Sequence, residues 1–212
     1  MRRAFPFDMT EAHADARLEA LCDGVFAIAL TLLILDVKLP STENIANTSE
    51  LWRALGRVTP SIAAFVLSFG VIFITWVNHH ATLKLVDKSS ASFVYANGFL
   101  LLTVVSLPFP TGLLGAYLWT DHAAPVVVLY DGVLAAISIG WILLSAAALS
   151  GHLTADEKST ATMRKNNKNA YFALALYSLL AIAAWWFPLT AAAVTTTTWI
   201  FWLAFGIRMK RA

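Results

Sequence analysis

The stretch from Arg17 to Asp36 limits what this chain can become more than any other. It opens with Arg17, Glu19 and Asp23, then runs twelve residues to Leu35 with Thr31 as the one hydroxyl. Wound as an α-helix at about 100° per residue, it places Arg17, Leu21, Gly24, Ile28, Thr31 or Leu32, and Leu35 on a single face. Asp23 falls roughly opposite, with Phe26 and Leu30. The apolar run is shorter than the ~20 residues a lipid-facing span needs. The Asp23 carboxylate also requires a partner within protein. Such a helix belongs at the centre of a bundle or an oligomer.

The rest of the chain has a matching character. Of 212 residues, 58% are hydrophobic and 13% charged, against about 25% charged in soluble domains. An all-α, polytopic membrane protein is expected, with the lipid bilayer as its surroundings. A net charge of +2 with no clustered basic face excludes nucleic acid as a partner. The lone Cys22 permits no internal disulfide. Residues 1–16 hold Arg2, Arg3, Asp8, Glu11 and Asp15 and no apolar core, so no cleavable signal peptide is expected.

Hydropathy marks six spans, near 17–38, 59–85, 93–115, 125–149, 167–186 and 188–207, as one membrane unit over 1–212. The longest polar connection is Pro40 to Arg57, where Ser41-Thr42-Glu43 and Thr48-Ser49-Glu50 read as helix starts of a short surface helix. Six spans put both termini on one side. Twelve basic residues, among them Arg2, Arg3, Lys84, Lys88, Lys158 and Arg164, fall on that side, against Lys38, Arg53 and Arg57 on the other. The imbalance predicts cytoplasmic termini. No Gly- or Pro-interrupted pair of spans suggests the inverted repeats of a transporter.

This topology brings polar residues of the first three spans to one depth: Arg17 and Asp23, then Trp76, Asn78, His79 and His80, then Tyr95 and Asn97. Three readings stay open for the layer. It is a hydrogen-bonded knot that fixes packing, a proton sensor built on histidines, or a metal site. The last is hampered because His79 and His80 point about 100° apart. The column of Ile28, Leu32 and Leu35 reads equally as core, lipid contact or pore lining, and Thr31 as a hydroxyl bonded back to its own helix. Asp131 is an intramembrane acid without an obvious partner, Pro108-Phe109-Pro110-Thr111 should kink the third span, and Thr195 to Thr198 should bond their own helix or a neighbour. Trp185, Trp186, Trp199 and Trp202 suit interfacial belts. The sequence holds no Thr-Val-Gly-Tyr-Gly filter, Gly-rich phosphate loop or His-Glu-x-x-His motif, and no nucleophile beside a base. Enzymatic activity is not expected.

Arg17-x-x-x-Leu21-Cys22-Asp23, continuing through Gly24-Val25-Phe26-Ala27-Ile28, resembles the Arg-x-x-x-Phe-Ser-Asp signature of the transmembrane protein 175 family of potassium channels. Phe73-Ile74-x-Trp76-x-Asn78-His79-His80, Asn97 and Leu107-Pro108-Phe109-x-Thr111 extend the resemblance over three spans. Leu21 replaces the signature's Phe, and Cys22 its Ser, exchanging a hydroxyl for a weaker hydrogen-bonding thiol. The resemblance implies a homotetramer in which four copies of the first helix line a central pore. Ile28 would form the constriction, with Leu32 and Leu35 next along it and Thr31 at a position tied to ion preference. Arg17, Leu21, Cys22 and Asp23 would belong to a packing network with Trp76, His79, His80 and Asn97. The implied activity is a potassium-preferring leak through the plasma membrane. K+ would pass Ile28 and Thr31 as cargo, with no cofactor and no bound metal in the protein. A proton channel, a secondary transporter and a non-conducting scaffold are the alternatives.

Overall fold

A chain this apolar must satisfy its backbone polar groups within each segment, because lipid offers no hydrogen bonds. The computed structural model is accordingly helical throughout. It describes residues 11–38 and 45–209, with side-chain surroundings for 16–38 and 45–200. Arg2, Arg3, Asp8, Glu11, Asp15, the Ser41-Thr42-Glu43 cluster, Trp202, Arg208, Lys210 and Arg211 therefore lie outside what is described for side chains. The helices are α1 (Glu11–Leu32), α2 (Thr48–Leu83), α3 (Ala91–Ser106), α4 (Pro108–Tyr117), α5 (Ala123–Ser150), α6 (Glu157–Ala183) and α7 (Pro188–Met209). A 3-10 turn over Leu33–Asp36 tightens the end of α1. With α3 and α4 in series, the helices form six rods. Four stretches are long and apolar enough to cross a membrane: Ala16–Asp36, Thr48–Leu83, Ala91–Tyr117 and Ala123–Ser150.

Cross-helix pairs fix how the rods run. Asp23 meets Trp76, and Glu19 meets His80. A step of four down α1 thus matches a step of four up α2, so the two are antiparallel. Cys22 lies beside Asn97 and Asp36 beside Gly112, so α1 runs parallel to α3 and α4. At one end of the bundle the turn after α2 pairs with the turn after α5. Asp87 N–H donates to the Leu153 carbonyl at 2.9 Å and Ala155 N–H to the Leu85 carbonyl at 3.1 Å. Lys84, Lys88 and Lys158 flank these turns, which makes this the basic end of the molecule.

Three boundaries differ from the hydropathy reading. The expected separate surface helix is instead the first turns of α2. Asn47 caps them, its side chain accepting from Glu50 N–H at 3.0 Å while Glu50 accepts from Ala46 N–H at 2.7 Å. This reciprocal cap starts a helix wherever the chain supplies it, with no regard to where lipid begins. Pro60 lies inside α2 without ending it. The third span breaks at Leu107, where Pro108 and Pro110 open a new helix. The fifth begins earlier than expected, at Glu157, because Asp156 caps it through Ser159 N–H at 2.6 Å. That capping bond holds the Asp156 carboxyl below its usual range.

The core is assembled from Phe26 and Leu33 of α1, Ile72 of α2, Phe93 and Leu100 of α3, and Leu134 and Leu144 of α5. Between membrane helices apolar area provides little drive, so close approach at small residues matters more. Gly115 is the sharpest case: a Cβ there would sit 2.7 Å from the Ser61 Cα. Gly140 makes a similar approach to Leu100.

Gly115→Ala should therefore push α4 from α2 and cost about 1–3 kcal/mol, the usual range for overpacking. Gly98, with open space where its Cβ would be, should tolerate alanine or gain slightly from it. Thermal unfolding in detergent compares the two, and equal melting temperatures would contradict the close approach.

Candidate functional site

The first helix has two unlike faces. One is sealed against its own subunit: Cys22, Phe26, Ala29 and Leu33 are buried. The other is bare. Leu21, Ile28, Leu32 and Leu35 are large apolar side chains exposed on it, Ile28 by 58% and Leu35 by 72%. Gly24 and Thr31 share that face. Thr31 donates to the Ile28 carbonyl at 2.9 Å, as a hydroxyl does when no better acceptor is near.

What holds α1 in this rotation is a set of polar contacts near the basic end. Asn97 of α3 is the hub. Its Nδ2 donates to Cys22 Sγ at 3.0 Å, and its Oδ1 lies 2.7 Å from His79 Nε2. An amide oxygen can only accept, so His79 Nε2 carries the proton. Cys22, His79 and Asn97 are all essentially excluded from solvent. The His79 ring also packs on Phe26, at 5.3 Å between centroids, and on Trp141 at 6.3 Å. A second tie runs from Trp76 Nε1, which donates to Asp23 Oδ1 at 2.8 Å. A third joins His80 Nδ1 to Glu19 Oε1 at 3.1 Å on the half-exposed rim, with Trp76 stacked on the His80 ring.

The structure thus brings Cys22, Asp23, Trp76, His79, His80 and Asn97 together around α1. It does not bring in Asn78 or Tyr95. Asn78 is exposed, and Tyr95 is 80% exposed. Leu21, which the signature motif groups with the packing network, sits on the bare face beside Ile28. Arg17 lies at the exposed start of that face. Asp23 pairs with an indole, and the two histidines serve different partners. Glu19 is the member that sequence reasoning missed. Its signal was available, since it lies one turn before Asp23 on the same stripe.

Toward the opposite end a further set of hydroxyls is buried. Thr111 Oγ1 lies 2.7 Å from Ser68 Oγ, which lies 3.0 Å from the Tyr130 hydroxyl. Asp131, expected to lack a partner, accepts from Thr195 Oγ1 at 2.8 Å. Thr196, Thr197 and Thr198 bond back to their own helix.

Asn97→Ala should leave the buried His79 imidazole unpaired and cost roughly 1–3 kcal/mol. Asn78→Ala, on an exposed position one residue from His79, should cost little. Unfolding midpoints of both variants in the same detergent test this, and a harmless Asn97→Ala would deny Asn97 its role as hub.

Comparison with known proteins gives a consistent set of relatives. The family model described as endosomal/lysosomal potassium channel TMEM175 matches residues 17–108. A potassium channel of Chamaesiphon minutus is 43% identical over 129 residues, which are 61% of this chain and 63% of that protein. A potassium channel of Streptomyces collinus is 41% identical over 143 residues, 67% of this chain and 66% of that protein. The chain thus spans just under two thirds of these curated relatives. A crystal structure described as a lysosomal potassium-selective channel TMEM175 homolog from Chamaesiphon minutus aligns with a TM-score of 0.79 at 33% identity. That alignment covers 91% of this chain and 97% of the other.

Proposed function

The chain belongs to the TMEM175 family, and from that premise we propose that it is a potassium-preferring cation channel. The observation that carries the proposal is the two-faced first helix. Its inner face is pinned by three polar ties while a column of large apolar side chains stays bare. Lipid would accept that column, being as apolar as leucine. A homotetramer explains it better, because Gly24 and Thr31 on the same face leave room for helices to approach. Four copies of α1 would then enclose a pore, with the whole of 1–212 acting as one channel unit in the plasma membrane and both termini cytoplasmic.

In that assembly Ile28 forms the narrowest ring, and Leu32 and Leu35 continue the apolar wall. A ring of isoleucine side chains closes by shedding water from the path, with no charged gate. Rotation or splay of α1 widens it enough for a partly hydrated ion. Potassium holds its hydration shell less tightly than sodium, so an apolar constriction penalises sodium more and yields a modest preference. The Thr31 hydroxyl offers the one polar contact beside the ring. No cofactor or catalytic step enters this mechanism, and K+ is cargo.

Purified protein in liposomes with an outward potassium gradient tests the reading through a potential-sensitive dye. Potassium should polarise the vesicles, and sodium should do so less. Ile28→Asn should raise the flux several-fold and bring the two ions closer together. Unchanged flux in that variant removes Ile28 from the constriction, and dissipation of a pH gradient without potassium flux would assign the conductance to protons.

A further inference from the structure

A second polar feature lies well away from the bare face of α1. Asp131 sits about two turns into α5, is fully excluded from solvent, and has one oxygen bonded to Thr195. Its other oxygen, Oδ2, is buried without a hydrogen-bond partner. An uncompensated carboxylate oxygen in the interior is costly. It is not sealed in packed side chains either. Asp131 lines a cavity of about 150 Å³ between α2, α4, α5 and α7.

The cavity exists because small side chains face it: Ala63 and Ala64 from α2 and Ala192 from α7. Pro60 and Trp119 lie at its margin toward the end remote from the basic turns. Most of the remaining wall is aliphatic, including Leu67, Leu114, Leu118 and Val127. The other polar groups are already committed. Thr195 donates to Asp131, Thr196 to the Ala192 carbonyl, and the Tyr130 hydroxyl pairs with Ser68. The one open valence is therefore an acceptor, and it belongs to a carboxyl group.

Those facts select the occupant. Water held in a cavity needs two to four polar partners, and this wall offers one. A bare divalent cation needs about six oxygen ligands, which the committed hydroxyls do not supply. A void of this volume takes a molecule as large as benzene when its walls are apolar. We propose that the Asp131 cavity is a binding site for a small lipophilic amine, its ammonium on Asp131 Oδ2 and its apolar body against the leucines. The indole of Trp119 adds an aromatic face of the kind that favours cations. The site is separate from the α1 column, so ligand there bears on helix packing and not on the path of an ion.

The experiment uses the full chain in detergent and radiolabelled benzylamine as the probe, followed by equilibrium dialysis. Wild type should bind one benzylamine per chain, and benzyl alcohol, the same shape without charge, should compete at least tenfold more weakly. Asp131→Asn keeps the shape and the Thr195 contact while removing the charge, and should weaken benzylamine at least tenfold. Ala192→Leu fills the void and should abolish binding of both probes. Absence of saturable binding in wild type overturns the proposal, as does equal affinity for amine and alcohol. The alcohol comparison needs no variant to fold, and none of these readouts depends on ion conduction.

Discussion

Asn97 is the point at which three helices are held to one register. Within lipid, apolar faces have no preference for one another over acyl chains, so sliding or turning one helix against the next changes little. A hydrogen bond with fixed donors and acceptors changes a great deal. Asn97 uses both ends of its amide, giving Nδ2 to Cys22 of α1 and Oδ1 to His79 of α2. A slip of one residue along α1 would rotate its side chains by about 100° and lose both this bond and the Trp76–Asp23 pair. The direction in which Ile28 points is thereby decided six residues away, in a polar cluster that Ile28 does not touch. The thiol at position 22 is a weak acceptor, and its complete burial keeps water from competing.

The far end of the bundle is tied differently. Tyr130 and Asp131 are consecutive on α5 and so diverge by about 100°. One reaches Ser68 and, through it, Thr111; the other reaches Thr195. Adjacent residues on one helix thus join α2 and α4 on one side and α7 on the other. Gly115 allows α4 to touch the backbone of α2, so here close packing and hydroxyl bonds act together. The remaining space, bounded by alanines, is where the packing is incomplete.

How much of this could be read from residues follows from the range of each interaction. The two faces of α1 are a local property of a 3.6-residue period, and Ile28 and Phe26 take the sides that period assigns. The approximate depth of His79 and Asn97 follows from span direction alone. Helix ends were less legible, because hydropathy marks where lipid lies and caps mark where a helix starts. Asn47 with Glu50 begins α2 well before its apolar segment, and Pro108 divides one hydrophobic run into two helices. Partner choice was least legible. Asp131 and Thr195 are 64 positions apart, and nothing local to either names the other. Tyr95, set at the right depth by topology, turned out to lie on the wrong side of α3.

The two ends of α1 together restrict how it can move. Cys22 is held by Asn97, and the 3-10 turn carries Asp36 to Gly112, where even a methyl group would meet the carboxyl at 2.8 Å. Ile28 lies between them, about 9 Å along the helix from Cys22. A helix fixed near both ends cannot translate without breaking one contact, and a tilt about Cys22 moves Asp36 further than Ile28. Rotation about the helix axis, or a bow at its middle, disturbs the ends least. Thr31, bonded back to the Ile28 carbonyl, sits where such a bow is easiest, since side-chain competition for a helix carbonyl favours bending. For a pore lined by this helix, the constriction therefore lies at the part of α1 that its own subunit restrains least.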